Sequence, residues 1–306
     1  MNKSESITKN IISLGVDIGG TNIKFAVLSG REILYKSIIP TNINSAEDML
    51  SDIAEEYKKI KKEYPIEKMG VGVPGVIKNG RVKAGNLNFD YVPLEEMLRE
   101  RFKEIPVKLE NDANCAALAE SRFGAGEKYQ NIVVVTLGTG IGGGIIMEKA
   151  ICPGNKWMGE IGHMIVQAEG GLPCKCGMKG CWEQYASATA LIRQGTVAAE
   201  ENKDSILYGK YKENDFSLNG KLIFDALDEG CSVAEKVLDG YSGWLAVGIK
   251  SIAQVLAPDA IVLAGGVTAQ KEKLLKPLME KLSLKDVQIE ISILQNDAGA
   301  MGAAIL

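Results

Sequence analysis

The stretch Ile11-Ile-Ser-Leu-Gly-Val-Asp17-Ile-Gly19-Gly20-Thr21-Asn-Ile-Lys24-Phe-Ala-Val-Leu28 decides the architecture. Residues 11–17 and 23–28 are short apolar runs, and the Gly-Gly pair between them is a turn signal, so the pattern predicts a β-hairpin. The same design returns further on: an apolar run over residues 132–137, a Gly138-Thr139-Gly140 turn, and a returning run over 144–147. The echo predicts two similar α/β halves. A cleft between two such halves is the natural place for a ligand.

Outward from the first hairpin, Ser45 caps a helix from about Ala46 that carries Met49, Leu50, Ile53, Tyr57 and Ile60 on one face. Residues 69–73 form a strand ended by Pro74-Gly75, and Pro93 opens a helix with Leu94, Met97, Leu98 and Phe102. A strand over 107–109 leads into Glu110-Asn111-Asp112, and an alanine-rich helix runs from Asp112 towards Phe123. Beyond the second hairpin come a long apolar helix over 241–256, a strand over 260–264, a Gly265-Gly266 turn and a helix from about Gln270. Ala298-Gly299-Ala300 opens a last helix of small residues.

A chain of 306 residues usually makes two domains, and 46% hydrophobic against 24% charged residues suffices for a substantial core in each. The net charge of −4 argues against a nucleic-acid partner, because affinity for phosphates rests on clustered Lys and Arg. The densest basic stretch, Lys58 to Lys62, is flanked by Glu55, Glu56 and Glu63 and reads as the solvated face of a helix. With no signal peptide and no long apolar run, the chain reads as cytoplasmic, with no membrane partner. Structural disulfides are rare in that compartment.

That bears on the cysteines. Cys174-Lys-Cys176-Gly-Met-Lys-Gly-Cys181 follows His163, the single histidine of the chain. Three thiols and one imidazole make a complete tetrahedral zinc set, and the two glycines tolerate the positive φ that convergence of the sulfurs needs. Cys-x-Cys pairs also serve as redox or disulfide partners, and composition favours the metal. Each arm carries a carboxylate, Glu160 three residues before His163 and Glu183 two after Cys181, so a bound metal would fix two acceptors in space. Cys115, Cys152 and Cys231 sit in apolar or small-residue surroundings and read as packing residues.

Four glycine turns adjoin strands. In Asp17-Ile-Gly19-Gly20-Thr21-Asn-Ile-Lys24 the backbone N–H groups can approach an anion, Thr21 offers a hydroxyl, and Asp17 can hold magnesium through water. Gly138-Thr139-Gly140 offers a second such nest, and Ala264-Gly265-Gly266 can pass close beneath a purine. Ala298-Gly299-Ala300 allows close packing. A Gly-Gly hairpin alone is more often just a turn. The nucleotide turns read as lying apart from the metal loop.

Taken together, Asp17-x-Gly-Gly-Thr-x-x-Lys24, Glu110-Asn-Asp-Ala-Asn114, Leu137-Gly-Thr-Gly-x-Gly-Gly-Gly144, Glu160-x-Gly-His163 and Cys174-x-Cys-Gly-x-x-Gly-Cys-x-Glu183 resemble the ROK group of sugar kinases and repressors. That group lies within the actin-like ATPase superfamily, and the resemblance covers nearly the whole chain. The continuation Trp182-Glu-Gln-Tyr-Ala-Ser-Ala-Thr189 is most similar to the glucokinases of the group. The resemblance implies an actin-like, ribonuclease H-like α/β fold of two domains with a cleft between them. Residues 1–114 plus 297–306 would form one domain, and 115–296 the larger, zinc-bearing one.

It further implies an ATP-dependent kinase acting on the 6-hydroxyl of glucose, with magnesium, a structural zinc and a homodimer through the larger domain. Asp112 would receive the proton of the sugar hydroxyl, and Asn111, Glu160, His163, Glu183 and Gly75 would bind the sugar. Asp17, Gly19, Gly20, Thr21 and Lys24 would form the first phosphate segment, Gly138, Thr139 and Gly140 the second, with Gly265 and Gly266 at the nucleotide. His163, Cys174, Cys176 and Cys181 would hold the zinc. At a helix N-terminus Asp112 should stay ionised, with low basicity.

N-acetylmannosamine and other hexose or N-acetylhexosamine kinases share the pattern and stand as the alternative. A sugar-responsive repressor of the group would need a helix-turn-helix module ahead of the first hairpin; the residues before Ile11 show no helical repeat. Phe89 stands where the group often has Trp, and reads as pocket packing.

Overall fold

The computed structural model describes residues 11–154 and 157–306. The segment before Ile11, read above as lacking a helical repeat, lies outside the described residues. The chain divides into two compact units, one running to Phe123 and completed by Asn296–Leu306, the other spanning Gly124–Gln295.

In the first unit β1 (Ile12–Ile18), β2 (Asn22–Ser29) and β3 (Glu32–Pro40) form an antiparallel meander. After α1 (Ala46–Glu63), β4 (Lys68–Val73) lies parallel beside β1. A small antiparallel sheet of β5 (Val76–Lys78), β6 (Arg81–Ala84) and β7 (Phe89–Val92) follows, then α2 (Leu94–Arg101). β8 (Val107–Asn111) pairs parallel with β4 and passes without a loop into α3 (Asp112–Phe123). The domain boundary drawn at residue 114 would cut α3, which the compact unit keeps whole.

The predicted cap and face of α1 are present. Ser45 Oγ accepts the Asp48 N–H at 3.0 Å, and all five predicted apolar residues are buried. Phe102 packs edge-on against Tyr57 with ring centroids 5.3 Å apart, which seats α2 on α1. The basic stretch of α1 is solvated, Lys59 pairing with Glu56 at 3.0 Å. Phe89 is buried in the core, as its reading as packing requires.

In the second unit β9 (Ile132–Leu137), β10 (Ile141–Met147) and β11 (Ala150–Ile151) repeat the meander. Five helices follow: α4 (Glu183–Ala186), α5 (Ala188–Glu201), α6 (Ile206–Glu213), α7 (Gly220–Asp228) and α8 (Ser232–Leu256). β12 (Ala260–Ala264), α9 (Glu272–Leu282) and β13 (Gln288–Ile291) complete the unit, with β12 parallel to both β9 and β13. The two sheets run β3-β2-β1-β4-β8 and β11-β10-β9-β12-β13, so the sequence echo is a true repeat of one topology. Each unit has its own hydrophobic core.

The chain ends in α10 (Ala298–Ala304), which packs on β1, β4 and α3. The approach is backbone to backbone. A methyl group on Gly15 or Gly70 would stand 1.8 Å from Ala300 O or Ala303 O, and one on Gly302 would stand 1.7 Å from Cys115 O. No side chain fits there, and overpacking of this kind costs about 1–3 kcal/mol or more. The same approach carries the first turn of α10 to the end of β1.

Several bounds differ from the sequence pattern. β10 starts at Ile141 and not at 144, because Gly142 and Gly143 hide the strand signal although their backbones pair with β9. α8 starts at Ser232 and not at 241, since its first turns mix Val237 and Leu238 with Glu235, Lys236 and Asp239. A 3₁₀ segment over Gly266–Gln270 separates the Gly265 turn from α9. No helix among the described residues is long and apolar enough to cross a membrane.

Candidate active site and metal centre

Asp17, Gly75 and Asn111-Asp112 stand at the carboxyl ends of β1, β4 and β8. In open α/β sheets ligands bind beyond those ends of parallel strands. Asn111 Oδ1 accepts the Ala113 and Asn114 N–H groups at 2.9 and 3.3 Å, capping α3, while its Nδ2 donates to Gly75 O at 3.0 Å. Glu110 Oε1 accepts from Asn111 N at 2.9 Å and from Asn114 Nδ2 at 3.0 Å. The helix cap therefore belongs to Asn111, held by Glu110 and Asn114. Asp112 is left for another task.

Asp112 Oδ1 accepts the Ala113 N–H at 2.8 Å. Burial nevertheless raises its carboxyl above the usual range, with the backbone N–H groups of Ala113 and Asp112 itself pulling the other way. The dipole argument for low basicity is thus outweighed by desolvation. A more basic carboxylate is better suited to receiving a proton.

Asp17 is pushed up to about 6, by burial first, with Lys24 opposing and Asp112 adding to the rise. Lys24 Nζ lies 3.9 Å from its carboxylate and donates to Asn296 O at 3.0 Å. A methyl group on Gly299 would stand 2.5 Å from the Asp17 carboxylate, so α10 closes one side of it. The Gly19-Gly20-Thr21 turn is braced by Gly19 N donating to Asn22 O at 2.9 Å and Thr41 Oγ1 donating to Gly19 O at 2.7 Å, with Thr21 exposed.

The raised value makes a stability prediction for the protein without ligands. An aspartate that holds its proton more tightly when folded adds stability below its unfolded pKa of 3.8, and loses it as pH rises through about 6. Across that window the loss is about 3 kcal/mol for a side chain this buried. Asp17→Asn should therefore be more stable than the parent at about pH 7.5 by up to that amount, with the gap narrowing towards about pH 4. Urea midpoints at both pH values test this, and a gap that does not change with pH would count against it.

In the second unit Gly138 N donates to Gly140 O at 3.0 Å, and Ala188 N donates to Gly138 O at 2.8 Å. That turn and Gly265-Gly266 follow β9 and β12, again at carboxyl ends, with Thr139 exposed. Thr268 Oγ1 donates to Gly265 O at 2.7 Å and holds the second turn.

The metal arms pair with each other, Ile165 bridging Cys181 and Val166 N donating to Gly180 O at 2.9 Å, while within the cysteine arm Cys174 N donates to Met178 O at 2.9 Å. Gly177 and Gly180 take φ of 94° and 81°, the left-handed turns predicted between the cysteines. All cysteines are free thiols. The nitrogen and sulfur atoms of His163, Cys174, Cys176 and Cys181 lie within 4.8 Å of one another, with Cys174 Sγ to His163 Nδ1 and Cys176 Sγ to Cys181 Sγ both 3.6 Å. Zinc–sulfur bonds of about 2.3 Å in a tetrahedron place ligand atoms about 3.8 Å apart, so the donor set fits that ion.

His163 turns Nδ1 towards the thiols and Nε2 towards Glu160 Oε2, 3.9 Å away. Glu183 Oε1 accepts from Cys174 Sγ at 3.0 Å, and burial raises the Cys174 thiol well above its usual range. The Cys181-Trp182-Glu183 segment is anchored by the fully buried Trp182. Its Nε1 donates to Trp244 O at 2.9 Å, and its ring fills the space a side chain at Gly248 would need.

Contrary to the sequence reading, the Gly138–Gly140 turn does not lie apart from the metal loop, since a methyl group on Gly140 would stand 2.5 Å from Glu183 Oε2. Glu110 and Asn114 brace the cap through contacts one and four residues apart, roles that sit in the motif but that residue type alone does not reveal.

Two sheets of one topology, with glycine turns at their carboxyl ends, define a protein of the actin-like ATPase fold. The ROK family model matches residues 13–306, and the chain belongs to that family. It is 39% identical to a glucokinase of Halalkalibacterium halodurans, over 96% of this chain and 94% of the relative. Its structure is similar to that of a Streptomyces griseus ROK family glucokinase in complex with glucose and AMPPNP, at 32% identity and a TM-score of 0.80, covering 96% of this chain and 98% of the other. A ROK hexokinase from Thermus thermophilus is similar at 29% identity and a TM-score of 0.82, covering 96% and 97%.

Proposed function

We propose that the chain is a glucokinase, transferring the γ-phosphoryl group of ATP to the 6-hydroxyl of glucose. The observation that carries this reading is Asp112: partly buried, relieved of capping by Asn111, and within electrostatic reach of Asp17. As O6 attacks the γ-phosphorus, Asp112 takes the O6 proton, the bond to the β,γ-bridging oxygen breaks, and ADP leaves. Phosphoryl transfer asks for positioning and charge neutralisation more than for covalent chemistry, so such machinery is sufficient.

Asn111 has a second N–H beyond the one given to Gly75, and that group reaches a ring hydroxyl. Glu160, His163 and Glu183 hold the far side of the sugar. Asp17, Gly19, Gly20, Thr21 and Lys24, with Gly138, Thr139 and Gly140, take the phosphates, and Gly265-Gly266 lies at the purine. Magnesium held through water by Asp17 would neutralise phosphate charge. His163, Cys174, Cys176 and Cys181 would hold a zinc whose four protein ligands leave no open position, which makes it structural.

The reading extends to a homodimer through the second unit and a cytoplasmic location. Val247 and Val255, at 41% and 80% exposure on one face of α8, favour a partner there. Six free thiols suit a reducing compartment.

A phosphorylation panel of glucose, mannose, glucosamine, N-acetylmannosamine and N-acetylglucosamine, with ATP or polyphosphate as donor, tests the reading. Glucose with ATP should lead the N-acetyl sugars in kcat/KM by about tenfold or more. An N-acetylhexosamine ahead of glucose would move the assignment to that kinase. No turnover with any of these sugars would remove it.

A further inference from the structure

Trp157 is the feature of the metal arm that the reading above leaves unused. Trp is a large apolar side chain that folding normally covers, yet Trp157 is 52% exposed, and its neighbour Met158 is 42% exposed. It lies beside polar groups. Its backbone carbonyl accepts the Glu160 N–H at 3.2 Å, so the two residues close one turn. Its ring stands edge-on to the His163 imidazole, with centroids 6.4 Å apart and planes at 79°. His163 in turn faces Glu160 with Nε2. A carboxylate, an imidazole nitrogen and a half-exposed indole thus share one corner of the second unit.

A pyranose needs both kinds of surface. Its hydroxyls want acceptors and donors, and its faces of C–H groups want an apolar wall that costs little to order. An indole has only two rotatable side-chain bonds and a large rigid face, and it is amphipathic at its edge. The contact with His163 limits the ring's freedom further.

We propose that Trp157 is a sugar-binding residue that forms the apolar wall of the hexose subsite, packing its indole against the C–H face of the pyranose whose hydroxyls meet Glu160 and His163. The inference rests on the reading of those two residues as sugar contacts. Because the indole holds the ring and does no chemistry, it governs affinity for sugar and not the transfer step. Uniform binding of this kind appears in KM and leaves kcat nearly alone.

Steady-state kinetics on the zinc-loaded full chain separate the possibilities. Trp157→Ala should raise KM for glucose about tenfold, equivalent to about 1.4 kcal/mol, with kcat and KM for ATP changed less than about twofold. Trp157→Phe, which keeps a flat ring, should recover most of the loss. Tryptophan emission supplies a readout that a merely structural role would not move. The other two indoles, Trp182 and Trp244, are buried and half-buried, so the glucose-induced emission change should come mainly from Trp157 and vanish in Trp157→Phe. Unchanged KM in Trp157→Ala, or an emission change kept in Trp157→Phe, overturns the proposal. Glu160→Gln serves as the control for the parent reading: if it weakens glucose binding and Trp157→Ala does not, only the proposal fails. If Glu160→Gln leaves glucose binding intact, or the parent chain turns over no hexose, the subsite reading itself fails and takes the proposal with it.

Discussion

Asp112→Asn is expected to lower kcat for glucose phosphorylation by about 10³-fold while changing KM for glucose by no more than about threefold. The amide keeps the shape of the carboxylate, and its Oδ1 can still accept the Ala113 N–H that Asp112 Oδ1 accepts at 2.8 Å. Capping is kept, because Asn111 Oδ1 accepts the Ala113 and Asn114 N–H groups at the start of α3 whichever residue stands at 112. What disappears is the acceptor for the O6 proton, which an amide cannot replace at neutral pH. Burial raises the wild-type carboxyl, so the neutral variant should fold at least as well as the parent. The stability measurement therefore removes misfolding as an explanation for lost turnover. Turnover within about threefold of wild type would show that Asp112 does not take the proton.

The second large effect is expected at the metal. Protein purified without chelator should carry one zinc per chain, and Cys176→Ser should lower thermal stability and raise KM for glucose by about tenfold or more. The reason is geometric. The ion would tie His163 to Cys174, Cys176 and Cys181, and Glu160 and Glu183 ride on those two arms. A displacement of about 1 Å in a positioned acceptor is costly. Glu183 also rests on Gly140, so affinity for ATP should fall too, by a smaller factor. Gly265-Gly266 belongs to a turn held separately by Thr268, which limits that second loss. Absence of zinc by elemental analysis, or normal glucose affinity in the variant, would falsify this account.

Much of the fold is legible in the chain because it rests on local patterns. Hairpins with glycine turns, the capped face of α1 and the strand-to-helix step at Asp112 are set by residues within a few positions of each other. β3 is harder to read, since it lies at a sheet edge with no residue fully buried and so lacks a clean alternation. Between residues 183 and 228, α4, α5 and α7 take their positions from packing against α8, and α6 from packing on α5 and α7.

By itself, then, the sequence determined which residues could do chemistry: the metal set, the glycine turns and the Asn111-Asp112 pair are chemical types at short spacing, and short spacing survives any folding of the rest. Tertiary structure alone decided how they are tuned. Burial made Asp112 and Asp17 more basic than their types imply, and α10, arriving from the far end of the chain, closed over Asp17. The nearness of Gly140 to Glu183 likewise arises from packing. Desolvation and close approach depend on residues distant in sequence, and no local pattern records them.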